Sequence, residues 1–167
     1  MPIAIPHTCT KKALRQDGTP WYSDFPEPES TPSKTPSSEI YTLLSSSSLL
    51  AKNILLIDTR RTDCTGGTIQ GSINIPAHSF YWSRKVIYDL CLRGGVKRVV
   101  FYCGSSNGRG PRCAAWMQDY IDSVGGDVEL KAEVMVGGIR SWVKAYGGEM
   151  MEGYDEKVWE AVKQDEV

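Results

Sequence analysis

Histidine is scarce in this chain, with His7 and His78 the two among 167 residues, and no cysteine pair has C-x-x-C spacing. Cys9, Cys64, Cys91, Cys103 and Cys113 are scattered and odd in number. That argues against a Cys/His zinc cluster, so no metal site is expected. It also argues against a disulfide framework and for free thiols in a reducing compartment. No sign of charge dominates: 19 Lys and Arg stand against 20 Asp and Glu, a formal net charge of −1. A nucleic-acid partner, which needs a basic footprint, is therefore not expected. Long apolar runs are missing too. The strongest, around Ile54 to Ile57, falls far short of the ~20 residues that cross a bilayer. Pro2, Pro6 and His7 interrupt any secretory signal core. Together these absences predict a cytoplasmic protein with no membrane partner.

What is present suits one domain. The chain is 41% hydrophobic, enough for a packed core. Proline is concentrated early and glycine late, which sets a boundary: residues 1–38 read as a Pro/Ser-rich arm and linker. Pro26 to Ser38 is expected to be extended and solvated. Trp21, Tyr22 and Phe25 would dock loosely on the domain. Residues 39–150 then form the main domain, and 151–167 an amphipathic helix packed on it through Tyr154, Val158, Ala161 and Val162.

Within the domain, Ser38 can cap a helix carrying Ile40, Leu43 and Leu44. Strands are expected at Ile54–Ile57 and Ser72–Ile75, with a helix from Trp82 to Leu92 stopped by Gly94 and Gly95. Arg98 to Tyr102 is continuously apolar after its first residue, as in a central parallel strand buried on both faces. Pro111 opens a helix, where its missing N–H costs nothing. Cys113, Met117, Tyr120, Ile121 and Val124 should line that helix's buried stripe. A strand near Val134 to Val136 precedes Gly137, Gly138 and a helix bearing Trp142. Alternating strands and helices indicate an α/β fold with a central, mainly parallel sheet.

One segment can carry chemistry: Cys103-Gly104-Ser105-Ser106-Asn107-Gly108-Arg109, between the best strand and the Pro111 helix. Ligands of α/β sheets bind at the carboxyl ends of strands. Loop amides and a helix N-terminus form a cradle for anions. Gly104 and Gly108 allow the backbone to curl, and the small side chains of Ser105, Ser106 and Asn107 leave the bowl open. Helix N-termini and nearby arginines favour a thiolate, so Cys103 is the candidate nucleophile. Arg109 can hold two oxygens of a tetrahedral oxyanion in its planar fork. That arrangement suits in-line attack by sulfur.

The chain resembles rhodanese-fold proteins of the branch that holds Cdc25-type phosphatases and fungal arsenate reductases. The resemblance rests on three blocks. They are Leu56-Ile57-Asp58-Thr59-Arg60 with Gly66 to Pro76, then Cys103 to Arg112, then Gly137-Gly138-Ile139 with Trp142. It implies a single rhodanese-like domain and an arsenate reductase or phosphomonoesterase acting on a small oxyanion or a phosphorylated substrate. Sulfurtransferase members have a loop one residue shorter between Cys and Arg, so thiosulfate or persulfide transfer is the second reading. A non-catalytic module that binds a phosphorylated partner is the third. No bound cofactor is implied; arsenate reduction would take glutathione and glutaredoxin as reductants, the latter as a protein partner.

This chain also departs from the branch. Tyr102 stands where its phosphatases have His, the loop lacks their glutamates, and Thr59 occupies the place of their resolving cysteine. Cys64, in the same loop, is the candidate to resolve an oxidised Cys103. Asp58 and Arg60 are expected to pin the turn after the first strand, and Trp142, Cys91 and Cys113 to pack. His78 reads as an exposed loop residue, and Arg112 as positive charge at the rim of the bowl.

Overall fold

A computed structural model describes residues 17–46, 53–125 and 129–164 of the chain. His7, Cys9, the first sixteen residues of the arm and the last three of the C-terminal segment lie outside these. In chain order the elements are β1 (Ser33–Thr35), α1 (Ser37–Ser45), β2 (Ile54–Asp58), β3 (Thr68–Ile69), β4 (Ser72–Asn74) and α2 (Ala77–Arg93). They continue as β5 (Arg98–Tyr102), α3 (Arg109–Val124), β6 (Lys131–Met135), α4 (Gly138–Tyr146), β7 (Met151–Glu152) and α5 (Glu156–Gln164). Five strands make one sheet in the order β1-β6-β5-β2-β4, every neighbouring pair parallel. β3 and β7 form a separate antiparallel pair.

The unbroken apolar run of β5 follows from its central place. Val99 and Phe101 point into the core shared with α2 and α3, while Val100 and Tyr102 point into the core under α1, α4 and α5. Both faces are covered, as a parallel sheet with crossover helices requires. Among the described residues, no helix is long and apolar enough to cross a membrane.

Several expectations are corrected. Part of the presumed linker, Ser33 to Thr35, is the edge strand of the sheet, paired with β6 from Ser33↔Glu133 to Thr35↔Met135. Thr35 donates its hydroxyl to the buried Glu133 carboxylate, which also receives both arms of the Arg98 fork at 2.9 and 2.7 Å. A short edge strand rich in Ser and Thr has no local signature that separates it from linker. The rest of this stretch runs along α3: Trp116 Nε1 donates to the Pro26 carbonyl at 2.9 Å, and Asp119 accepts the amides of Glu29 and Ser30. Trp21 is itself core, 8% exposed.

Ser38 caps nothing, since α1 begins at Ser37 with Pro36 as its N-cap. α2 begins at Ala77 rather than Trp82, which puts His78 in its first turn. There the imidazole packs on Trp21, ring centroids 4.8 Å apart. Val124, the last residue of α3, is exposed. On α5 Trp159 is buried, Val158 and Val162 are half-buried and Ala161 is exposed, as is Tyr154, which lies before the helix starts. An indole beside the predicted stripe drew the helix onto its own face because Trp159 Nε1 has a partner there, the Gly66 carbonyl at 2.6 Å.

Candidate active site

β5 delivers Cys103 to the carboxyl edge of the sheet. The strand end is clamped to the turn after β2: the Tyr102 carbonyl accepts the Thr59 amide at 2.8 Å and its hydroxyl at 2.9 Å. Cys103 lies just beyond, 3% exposed. Its Sγ accepts the Ser106 amide at 3.2 Å, and its own amide donates to Ser106 Oγ at 3.4 Å. Ser106 adopts a left-handed backbone, φ 54°. That region is uncommon for residues other than glycine and is held only where surroundings enforce it. Here it turns one amide back onto the sulfur.

α4 fixes the rest of the curl from behind. The Ile139 amide donates to the Cys103 carbonyl at 3.0 Å and the Arg140 amide to the Gly104 carbonyl at 3.1 Å. In a trans peptide the C=O and the following N–H point in opposite directions, so the amides of Gly104 and Ser105 are turned away from α4. Such close approach needs Gly138: at its φ of +59°, a Cβ would stand 2.4 Å from the Cys103 carbonyl oxygen. The Gly137-Gly138 block thus shapes the loop. α3 starts directly after the loop with Gly108 as N-cap and no side-chain cap, so its first-turn N–H groups are not consumed by a capping side chain.

Arg109 is brought to this edge, but its fork is filled. Nη1 donates to Asp63 Oδ1 at 2.7 Å and Nη2 to Oδ2 at 2.5 Å. Burial pushes the Asp63 carboxyl up, but the hydrogen bonds and charge of Arg109 outweigh it and hold the group at about 2. Asp63 escaped the sequence reading. It lies in a polar turn 46 positions from its partner, and only the common loop edge joins them.

The turn that carries Asp63 is anchored at both ends. Asp58 and Arg60, buried to 0% and 2% exposure, form a pair in which Nε and Nη2 reach the carboxylate at 3.0 and 2.7 Å. Arg60 Nη2 also donates to the Gly67 carbonyl at 2.7 Å, and Asn74 Nδ2 closes the turn on the carbonyls of Asp58 and Arg60. At the far end Gly66 meets Trp159. Cys64, half-buried between the anchors, directs its thiol at Asp58 Oδ2, 3.6 Å away. Burial and that carboxylate raise its pKa.

Tyr102 points away from Cys103 into the opposite core. Its hydroxyl meets Thr68 Oγ1 at 2.7 Å, donates to Ser72 Oγ at 2.8 Å and accepts the Ile69 amide, and burial raises its pKa. Arg112 is not loose charge at the rim: it stacks 3.6 Å over Tyr22 and pairs with Glu27 at 2.7 Å. Cys113 and Cys91 are core residues whose thiols burial pushes up, and Trp142 is fully buried with its indole N–H on the Glu149 carbonyl.

Comparison with known proteins identifies the family and the fold. Residues 39–145 match the model of the rhodanese-like domain family, and the chain belongs to that family. A search of curated protein sequences finds no significant match. Among solved structures, the arsenic–antimony reductase of Leishmania major is similar at 23% identity and a TM-score of 0.65, covering 79% of this chain and 99% of that one. Ygr203w, a yeast protein tyrosine phosphatase of the rhodanese family, is similar at 21% identity and a TM-score of 0.61, covering 78% and 99%. At these identities the likeness shows the fold.

Proposed function

We propose that this rhodanese-like protein is a cysteine-dependent oxyanion enzyme, an arsenate reductase in the first instance, with Cys103 as nucleophile and Arg109 as the clamp. The observation that carries the reading is the Ser106 amide aimed at Cys103 Sγ from 3.2 Å. A peptide dipole so placed stabilises negative charge on the sulfur. The carboxylate in the Arg109 fork supports it further, because a guanidinium that seats two coplanar oxygens has the geometry for two oxygens of arsenate or phosphate. The amides of Gly104, Ser105, Ser106, Asn107 and Gly108 are the cradle.

In the first step the Cys103 sulfur bonds to arsenic and water leaves, giving a thiol-arsenate adduct. Attack by glutathione at Cys103 sulfur then releases arsenous acid. The two electrons come from the two sulfurs, which end as a mixed disulfide for glutaredoxin to reduce. Phosphomonoester hydrolysis shares the first attack but must expel an alkoxide, which a general acid assists by ~10²–10⁴-fold. Gly104 to Gly108 contain no carboxylate to serve as that acid. That difference favours arsenate.

Purified protein should reduce arsenate with glutathione and glutaredoxin, and Cys103→Ser should abolish it. Turnover of an aryl phosphate instead would assign phosphatase chemistry. A 32 Da adduct on Cys103 after thiosulfate, without turnover of either oxyanion, would assign sulfur transfer. Cys64 is proposed as resolving thiol: oxidation of Cys103 to a sulfenic acid, then condensation with Cys64, forms a disulfide and releases water. Peptide mapping after peroxide should find that bond.

A further inference from the structure

The Asp63–Arg109 pair joins the two loops that border the candidate nucleophile, and its chemistry is that of a bound anion. Both terminal nitrogens of the guanidinium are engaged, each by its own carboxylate oxygen. A third donor, the Arg61 amide, holds Asp63 Oδ1 at 3.0 Å. A tetrahedral oxyanion held bidentately by Arg109 needs at least one of the same terminal nitrogens. A second full negative charge beside an ionised carboxylate is also opposed by like-charge repulsion in this partly buried setting.

The surroundings permit release. The backbone of the turn is held by buried contacts at Arg60 and Gly66, and Arg60 Nη1 also reaches the carbonyls of Asp63 and Thr65 at 3.4 and 3.2 Å. The side chains of Arg61, Thr62 and Thr65, by contrast, are exposed and that of Asp63 is 35% exposed. Side-chain rotation at Asp63 frees the fork and returns the carboxylate to water without moving either anchor.

We propose that Asp63 is an internal anion that occupies Arg109 in the resting protein, so that the tetrahedral oxyanion binds by displacing it. This rests on the reading of Arg109 as the oxyanion clamp. The consequence is an affinity threshold. Every ligand that uses Arg109 must first break the pair, whereas sulfur transfer to Cys103, which needs no guanidinium, is unaffected.

The test is titration calorimetry of the full chain with inorganic phosphate at fixed ionic strength. It compares wild type, Asp63→Asn, Asp63→Ala and Arg109→Ala, with circular dichroism melts to verify folding. Protection of Cys103 from iodoacetamide by phosphate, read by peptide mass spectrometry, is the second readout. Asp63→Ala should bind phosphate roughly tenfold or more tightly than wild type, the scale of one charge-assisted contact, and Asp63→Asn should fall between them. Should Asp63→Ala fail to fold, the near-isosteric Asp63→Asn decides. Unchanged affinity in the Asp63 variants, with binding lost in Arg109→Ala, overturns the displacement and leaves the clamp standing. Weaker binding in the Asp63 variants also overturns it, making Asp63 a support that positions Arg109. Silence from wild type and both Asp63 variants removes the clamp as well.

Discussion

Gly138→Ala should damage both the stability of the protein and the shape of the Cys103 loop, although residue 138 is 35 positions from Cys103. The alanine would be forced to hold φ near +59°, which costs an L-residue roughly 1–2 kcal/mol. Its methyl carbon would also stand 2.4 Å from the Cys103 carbonyl oxygen and 2.5 Å from that of Gly104. Both obstacles are backbone, so no side chain can rotate aside, and overpacking of this kind costs about 1–3 kcal/mol. Relief comes only by pulling α4 from the loop, which loses the hydrogen bonds from Ile139 and Arg140, each worth about 1 kcal/mol. These costs overlap rather than add, and about 3–5 kcal/mol is the expected loss. For a domain of this size that lowers the melting temperature by roughly 10 °C. Gly95→Ala is the control, with a φ of +67° but nothing within 4 Å of the added carbon, and should cost only the backbone share. Thermal unfolding by circular dichroism measures both, and Cys103 alkylation with and without phosphate measures the loop. Equal melting temperatures for the two variants would refute the claim that α4 and the loop are in tight register.

Breaking the buried Asp58–Arg60 pair with Arg60→Ala should cost about 3–5 kcal/mol by leaving Asp58 charged and uncompensated, measurable by urea unfolding. Arg60→Leu should not restore it, because Asp58 stays buried. Acid should destabilise the protein through Asp63 and Glu133. Arg109 holds Asp63 at about 2 against an ordinary 3.8. Burial raises the Glu133 carboxyl, but hydrogen bonds from Arg98 and Thr35 outweigh it and hold the group below its ordinary 4.5. A depressed carboxyl stabilises the fold fully above its unfolded value and loses that contribution as pH falls through its folded one. For Asp63 the window runs from about 4 down to about 2, so the urea midpoint should fall across it, and Asp63→Asn should fall less steeply.

Some of this protein is written locally. Arg98 to Tyr102 reads as a central strand because burial on both faces demands apolar residues in succession. The turn to Pro111 reads as a loop into a helix because small residues, glycine and a first-turn proline each act within a few positions of themselves. Those features also mark Cys103 and Arg109 as candidates and locate the rhodanese-like blocks. Tertiary structure alone decided the contacts between distant segments. It added Ser33–Thr35 to the sheet, laid Arg112 on Tyr22, turned Trp159 onto Gly66 and gave the Arg109 fork to Asp63. Each joins side chains or strands far apart in the chain, chosen by which loops the β-sheet brings to one edge. Periodicity and turn chemistry fix a residue's own element; charge pairing across elements depends on topology, and no spacing in the sequence encodes it.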